Sequence, residues 1–526
     1  MPEDLLTLRD LIRRSADDRP NSEAVVDSIG RYTYSRLLDR IRRMAGLLHT
    51  LGLRKGDRVA LLMPPSTSHV IALFGAIELG AIPVALHVRE SEETLAAIVE
   101  QLSPRALVYD GVFAQKAKFL CDKTQLITAA VRSISSITPK NECVKGLEPI
   151  IPNDLDNYKP DIDPMPVALD DTAVIALSSG TTGIPKGVMH THRTLMASAR
   201  GGARYMAAHS RAVSINIFTT AFIGWYNCTL PFLFGGSKII YLSRWDPQTY
   251  LQTLQDEKVT VCFLVPTMWR MLLRDGPENY NLSSLERVGY AGEPMDVATM
   301  TQIRQRICDS VINTYGTTET GSWAGCAVML PEDYADSDKI ASVGRAAANV
   351  EIRVIAPGGP VDAVMPSGEE GEVIIAGPSV ASQLWEQPRL GCRIFDGRWW
   401  RSGDIGVLDD EGYLYLRGRI DDMIITGGIN VLPGQVEEAV LGHPAVSECV
   451  VLGLPSEQWG AQITAFVICR EQVTEEELSD FVNRTALSNY KRPREYRFVN
   501  ELPRGNTGKV NRKLLRDQVT HAHSSV

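Results

Sequence analysis

The sequence has little that would tie it to a membrane, a nucleic acid or an oxidising compartment. Its 526 residues hold nine cysteines and no Cys-x-x-Cys pair, so neither a disulfide framework nor a zinc site is expected. A reduced, cytoplasmic setting fits that usage. Positive charge is in deficit. The formal net charge of -9 argues against a general nucleic-acid binder and leaves room for a local basic patch. No apolar run is long enough to span a bilayer. The most apolar stretch, residues 59–88, is broken by Pro64, Pro65, His69, Glu78 and Pro83 and reads as buried helix and strand. The opening Met1-Pro2-Glu3-Asp4 is acidic and offers no secretory signal. Internal repeats and low-complexity tracts are missing too.

What is present exceeds one ordinary core, so two or more domains are expected. Residues 35–51 carry Leu37, Leu38, Ile41, Met44, Ala45 and Leu48 at helical spacing, and Gly52 stops that helix. Val59-Ala-Leu-Leu-Met63 follows as a buried strand. This alternation predicts an α/β fold. A proline-rich connection from Pro149 to Pro166 separates two α/β subdomains, about 1–165 and 166–335. Residues 336–419 carry short β-rich runs and predict a small antiparallel barrel or sheet. Within them Asp409-Asp-Glu-Gly412 is a hairpin turn. Residues 420–526 form a smaller α+β domain, in which Thr474 and Glu477 make a capping box. The tail from His521 onward is expected to fray.

The strongest chemical signal is Ser178-Ser-Gly-Thr-Thr-Gly-Ile-Pro-Lys-Gly187, after the apolar strand Ala173-Val-Ile-Ala-Leu177. Small residues let the backbone approach a polyphosphate, and the hydroxyls and Lys186 can contact its oxygens. It is not a Walker loop. Pro185 stands where the second glycine should be, and Gly187 stands where Ser or Thr should follow the lysine.

This segment resembles the phosphate loop of the adenylate-forming superfamily of acyl-CoA synthetases, luciferases and adenylation domains. Further motifs follow in the family's order. Tyr290-Ala-Gly-Glu-Pro294 resembles its adenine turn, which implies nucleotide contacts at Gly292, Glu293 and Pro294. Tyr315-Gly-Thr-Thr-Glu319 resembles the next motif, with Tyr315, Gly316, Thr317 and Thr318 at the nucleotide and Glu319 on magnesium. Arg401-Ser-Gly-Asp404 resembles the motif whose aspartate takes the ribose hydroxyls, which implies that role for Asp404. Gly418-Arg-Ile-Asp-Asp-Met423 resembles the arginine and hinge motif, which implies Arg419 at the phosphates and a hinge at Asp421. Asn506-Thr-Gly-Lys509 resembles the motif of the catalytic lysine, which implies that role for Lys509. The phosphate loop contributes Ser178, Ser179, Gly180, Thr181, Thr182, Gly183 and Lys186.

The residue types suit that chemistry. A carboxylate can accept from both hydroxyls of a vicinal diol. Glutamate gives magnesium an oxygen ligand, and arginine keeps its charge beside phosphate. Carboxylate and ATP are both anions, so positive charge must hold them together, and magnesium, Lys186, Lys509 and Arg419 fit this need. A Ser-His-Asp reading around His190 and His192 lacks a Gly-x-Ser-x-Gly motif, and His192 is expected to pack beside the phosphate loop.

For the acceptor, Tyr490-Lys-Arg-Pro-Arg494 is a compact cationic cluster with an aromatic at its edge, suited to a phosphorylated adenosine. The resemblance implies coenzyme A contacts at Arg89, Gly428, Trp459, Tyr490, Arg492 and Arg494, with Gly427 beside them. Residues 418–446 look most like 4-chlorobenzoate and other aryl-CoA ligases. One departure stands out: the family's usual histidine or other aromatic before the acyl pocket falls on Ala221. That predicts a roomier pocket for an aromatic or bulky cyclic acid, with Phe222, Ile223, Trp225, Met268, Trp269, Tyr290, Tyr315 and Trp323 as candidate walls. The expected partners are thus a small carboxylic acid, ATP, coenzyme A and magnesium, with neither nucleic acid nor membrane. A homodimer is the oligomer to test.

Rival readings are a standalone adenylation enzyme loading a carrier protein, a ligase for medium- or long-chain fatty acids, and a non-catalytic binder. The first would place an aspartate near Phe222 for an amino acid's ammonium, and residues 218–230 hold none. Intact Lys186, Glu319, Asp404, Arg419 and Lys509 argue against the last.

Overall fold

The computed structural model describes residues 6–124, 126–128, 152–158, 166–178, 185–293, 295–387, 390–391, 394–456, 458–504 and 510–523. Seven candidate site residues fall outside this set: Ser179, Gly180, Thr181, Thr182, Gly183, Pro294 and Lys509. Most of the expected connection between Pro149 and Pro166 does as well.

The fold is mixed α/β, with a large N-terminal domain and a smaller C-terminal one. The chain packs into two compact units, residues 1–352 with 374–401 and residues 353–373 with 402–526. Residues 402–419, assigned by sequence to the first domain, thus group with the C-terminal unit. Chain order suggests a break after 419, whereas packing divides the chain inside Glu351–Ile355, Gly371–Ala376 and Trp399–Leu408.

The first unit is organised by a nine-stranded sheet. Its central strands run parallel in the order Val311–Tyr315, Arg287–Ala291, Val261–Leu264, Val213–Asn216, Lys238–Tyr241 and Glu23–Val26. Both faces are covered, so neighbouring residues serve opposite cores. Val25, Ile239, Val261 and Ile312 join one cluster, while Val26, Ile240, Cys262 and Val311 join the other. This explains why the strands read as near-continuous apolar runs. A four-stranded parallel sheet holds Ile82–Ala85, Arg58–Leu62, Ala106–Tyr109 and Ile127–Thr128. The helix Tyr34–Thr50 buries Leu37, Leu38, Ile41, Met44, Ala45 and Leu48, the face read from spacing. Among the described residues, no helix is long and apolar enough to cross a membrane.

In the second unit, Val446–Ser456 pairs antiparallel with Gly460–Cys469, which pairs parallel with Glu495–Phe498. The capping box forms at Glu475–Asn483: Thr474 Oγ1 accepts from Glu477 N, and Glu477 Oε2 accepts from Thr474 N at 2.8 Å. The hairpin turn also forms, with Asp409 N donating to Tyr413 O at 3.1 Å. Helix Arg512–His523 includes His521 to His523, three residues expected to fray. Arg512 near its start is held bidentately by Glu437, at 2.7 and 2.8 Å, which anchors the helix against the domain.

Candidate active site

The carboxyl ends of the parallel strands gather most candidate residues of the first unit. Residues 290–293 and 315–319 leave two adjacent strands side by side, with Ala291 opposite Thr314. Phe222 and Ile223 follow the strand Val213–Asn216, and Met268 and Trp269 follow Val261–Leu264. Open parallel sheets bind ligands at this edge because the loops there are free to vary. Gly292 has φ +89°, a left-handed conformation that lets the chain turn sharply off its strand. Glu293 accepts from Thr267 Oγ1 at 3.2 Å.

The phosphate segment is a strand–loop–strand. Thr172–Ser178 pairs antiparallel with Lys186–Thr191, and the register sets Ser178 opposite Lys186. Three contacts of this ribbon reach residue 221 and the 315–319 motif. Leu177 N donates to Ala221 O at 3.2 Å, and Thr318 Oγ1 donates to Leu177 O at 3.5 Å. His190 Nε2 lies 2.8 Å from Thr318 O. Burial lowers the His190 pKa to about 4, so the ring is neutral, and a carbonyl partner requires the proton on Nε2. Ser178 Oγ and Thr317 Oγ1 are buried without a hydrogen-bond partner among the described residues. Buried hydroxyls of this kind are rare, and two at one site leave hydrogen-bonding capacity for a ligand. Glu319, on the same turn, is half-buried.

The loop beside which His192 is expected to pack lies outside the described residues. His192 starts helix His192–Tyr205, and its Nδ1 accepts from Leu8 N at 3.3 Å. It thus serves the N-terminal segment, while His190, two residues earlier on the strand, reaches the 315–319 motif.

The candidate acyl-pocket residues divide. Phe222, Met268 and Tyr315 are half-buried, and the Phe222 ring lies 5.3 Å from that of His87. The others are buried. Ala221 is 2% exposed and packs with the cluster around the four-stranded sheet. Ile223 is 8% exposed. Trp225 packs on His69 and Tyr226, with ring centroids 4.8 and 5.1 Å away. Trp269 Nε1 donates to Gly289 O, and Trp323 Nε1 donates to Asn227 O, each at 3.1 Å. Tyr334 OH donates to Tyr290 OH at 3.3 Å, and burial pushes the Tyr290 hydroxyl up to about 12.

In the second unit, Asp404 and Arg419 face each other across the hairpin Trp399–Leu408/Leu414–Arg419. Arg419 Nη1 lies 3.0 Å from Asp404 Oδ1, and Nη2 donates to Ser402 O at 3.2 Å. Asp421 is exposed on the short turn Ile420–Asp422. Among the coenzyme A candidates, Trp459 and Arg494 meet: the guanidinium carbon lies 4.1 Å from the indole centroid. Gly427 N donates to Trp459 O at 2.8 Å, and Arg494 Nη1 donates to Thr426 Oγ1 at 3.3 Å. Gly428 is exposed beside them, and Tyr490 is also exposed. Arg492 turns elsewhere. It donates to Leu487 O, Asn483 Oδ1 and Asn483 O at 3.1, 2.8 and 3.1 Å, and so closes the carboxyl end of helix Glu475–Asn483. Arg89 belongs to the first unit and is exposed.

Sequence reasoning missed Ser198, Ser379 and Ala381, which bond to residues 319–321. Ser198 and Ser379 lie 123 and 59 positions from the carbonyls they serve, and Ala381 shares the distant loop of Ser379. No local pattern marks them.

Comparison with known proteins agrees with this layout. Residues 12–385 match the AMP-binding enzyme family, and residues 435–509 match the AMP-binding enzyme C-terminal domain. The chain is 30% identical over 516 residues to the long-chain-fatty-acid–CoA ligase FadD13 of Mycobacterium tuberculosis, covering 97% of each chain. It is 30% identical over 532 residues to the 4-chlorobenzoate–CoA ligase of an Arthrobacter species, covering 97% of this chain and 95% of that one. Its fold superposes on ATP-bound MatB from Rhodopseudomonas palustris with a TM-score of 0.85 at 24% identity, over 98% and 99% of the two chains. The matched family model spans most of the sequence, and the chain belongs to the AMP-binding enzyme family, the adenylate-forming acid–thiol ligases.

Proposed function

We propose that the protein activates an aromatic or bulky cyclic carboxylic acid as its acyl-adenylate and then transfers the acyl group to coenzyme A. The observation that carries this reading is the meeting of three segments at one sheet edge. The phosphate ribbon is bonded through Leu177 both to Ala221, at the acyl segment, and to Thr318, at the nucleotide turn.

In the first step a carboxylate oxygen attacks the α-phosphorus of ATP, and pyrophosphate leaves. Lys186 stands at the end of the ribbon, where its ammonium can offset charge on the phosphates. The buried hydroxyls of Ser178 and Thr317 can donate to phosphate oxygens. Lys509 takes the family's catalytic lysine role at the reacting centre, and Asp404 takes the ribose diol while paired with Arg419. In the second step the coenzyme A sulfur attacks the acyl carbon and AMP leaves. Trp459, stacked with Arg494, and Gly427-Gly428 supply a flat apolar wall and a cation for the cofactor. Exchange of Lys509 for these groups calls for motion about Asp421.

Magnesium fits the donor set. Among the described residues no group of three or more His, Cys, Asp or Glu could hold an ion alone. Magnesium characteristically takes one or two carboxylates together with substrate phosphates and water, and Glu319 is such a carboxylate. When bound, it neutralises charge on the ATP phosphates.

Support for a ring-bearing acid is the half-buried Phe222 beside His87, flat surfaces at the start of the acyl segment. The test is AMP release from a panel of benzoates, cinnamates, alicyclic acids and fatty acids, with and without coenzyme A. Benzoates, cinnamates or alicyclic acids with coenzyme A-dependent turnover are expected. Preference for fatty acids would overturn the acid class, and amino-acid-dependent pyrophosphate exchange without thioester formation would overturn the acceptor.

A further inference from the structure

Residues 317–321 hold Glu319 in an unusual way: each of the five carbonyls in the turn has a donor. Thr317 O accepts from Thr320 Oγ1 at 3.2 Å and Thr318 O from His190 Nε2 at 2.8 Å. Glu319 O accepts from Ala381 N at 2.8 Å. Thr320 O accepts from Ser379 Oγ and Gly321 O from Ser198 Oγ, each at 2.6 Å. The donors come from the phosphate ribbon, the helix His192–Tyr205 and the loop near 380. His190, Ser198, Ser379 and Thr320 are all at most 2% exposed.

The turn is also conformationally demanding. Gly321 and Ser322 have φ +64° and +66°, two left-handed residues in succession. A side chain at Gly321 would place its Cβ 2.6 Å from Ser379 O and 3.2 Å from His190 Cε1. Ser322 Oγ accepts from Asn227 Nδ2 at 2.5 Å. Backbone held in sparsely populated conformations persists where its surroundings over-determine it, and such places cluster at functional sites. Here every backbone carbonyl from 317 to 321 is bonded, while the Thr317 hydroxyl remains without a partner among the described residues.

We propose that His190, Ser198 and Ser379 are positioning residues that fix the 317–321 turn through its carbonyls and so preset Glu319 and Thr317 for a divalent cation–nucleotide complex. This rests on the functional reading above. A ligand atom set before the substrate arrives needs no ordering on binding, so the gain appears as nucleotide–metal affinity. None of the three side chains itself needs to touch the substrate.

The test measures binding rather than turnover. The affinity of Mn2+·ATP is measured by calorimetry, without acid or coenzyme A, for the wild type and for His190→Phe, His190→Gln, Ser198→Ala and Ser379→Ala. Thioester formation from supplied acyl-AMP and the melting temperature are followed in parallel. His190→Phe should weaken Mn2+·ATP at least tenfold and each serine variant severalfold, with metal-free ATP binding and the acyl-AMP reaction within twofold of wild type. His190→Gln, which keeps a donor, should recover part of the loss. Affinities within twofold of wild type in the folded variants would overturn the proposal, as would equal losses with and without metal. If His190→Phe does not fold, Ser379→Ala decides alone. A wild type that neither binds Mn2+·ATP nor releases AMP would instead refute the functional reading.

Discussion

The turn at residues 317–321, which continues the 315–319 nucleotide motif, and the cationic cluster at residues 490–494 are built in opposite ways. In the turn, neighbours occupy the backbone carbonyls, and the buried Thr317 hydroxyl keeps no partner among the described residues. In the cluster, side chains serve the fold. Arg492 closes a helix, and Lys491 donates to Gln435 Oε1 at 2.7 Å. Arg494 donates to Thr426 Oγ1 as well, and its guanidinium carbon also lies over the Trp459 ring, 4.1 Å from the centroid. A run of charge therefore says less about binding than a turn whose polar side chains stay unspent.

Acid should separate the two units most strongly. His69, His190 and His192 are buried in the first unit, and burial lowers their pKa from 6.5 to about 3, 4 and 4. The native state stays unprotonated at these rings while the unfolded chain takes up protons below 6.5. Stability should thus fall as pH drops from 6.5 to about 4, approaching about 4 kcal/mol per pH unit from three protons. Denaturant titrations of that unit across the window check this, and a slope under one proton would remove the contrast.

Next in size is Lys186→Ala, which should lower acyl-AMP formation about 100- to 1000-fold, or roughly 3–4 kcal/mol, by analogy with loss of one preorganised stabilising group. Thioester formation from supplied acyl-AMP should persist. Rapid-quench assay of the two half-reactions separates them, and equal losses would show that Lys186 serves both steps.

Ala221→Trp comes third. Ala221 sits in a packed cluster, so an indole there should overpack it and lower stability by about 1–3 kcal/mol. An altered acid range with an unchanged melting temperature would show instead that the side chain faces a cavity.

The smallest effects lie in the cluster itself. Arg494→Ala should raise KM for coenzyme A, with about 0.5–2 kcal/mol at stake in a cation stacked on an aromatic ring. Arg492→Ala should chiefly lower the stability of the second unit, by about 1 kcal/mol of net hydrogen bonding. A larger rise in KM from Arg492→Ala than from Arg494→Ala would make the cluster a ligand site after all.

By itself the sequence determined what short-range physics controls. Helical spacing marked the buried face of Tyr34–Thr50, Thr474 and Glu477 announced their cap, and Asp409-Asp-Glu-Gly412 announced its turn. The ordered motifs from Ser178 to Lys509 carried the resemblance to the family, and their glycines, hydroxyls and lysines suit phosphate. Only the tertiary structure decided which charges are already engaged: Arg492 at a helix end, Arg419 on Asp404. It also decided that Ala221 is core and that His190, rather than His192, reaches the Glu319 turn. His190 and Ser198 meet that turn across 128 and 123 positions of chain. Spacing along a sequence reports neighbours within a helix, strand or turn, whereas those hydrogen bonds exist only once separate elements have packed together.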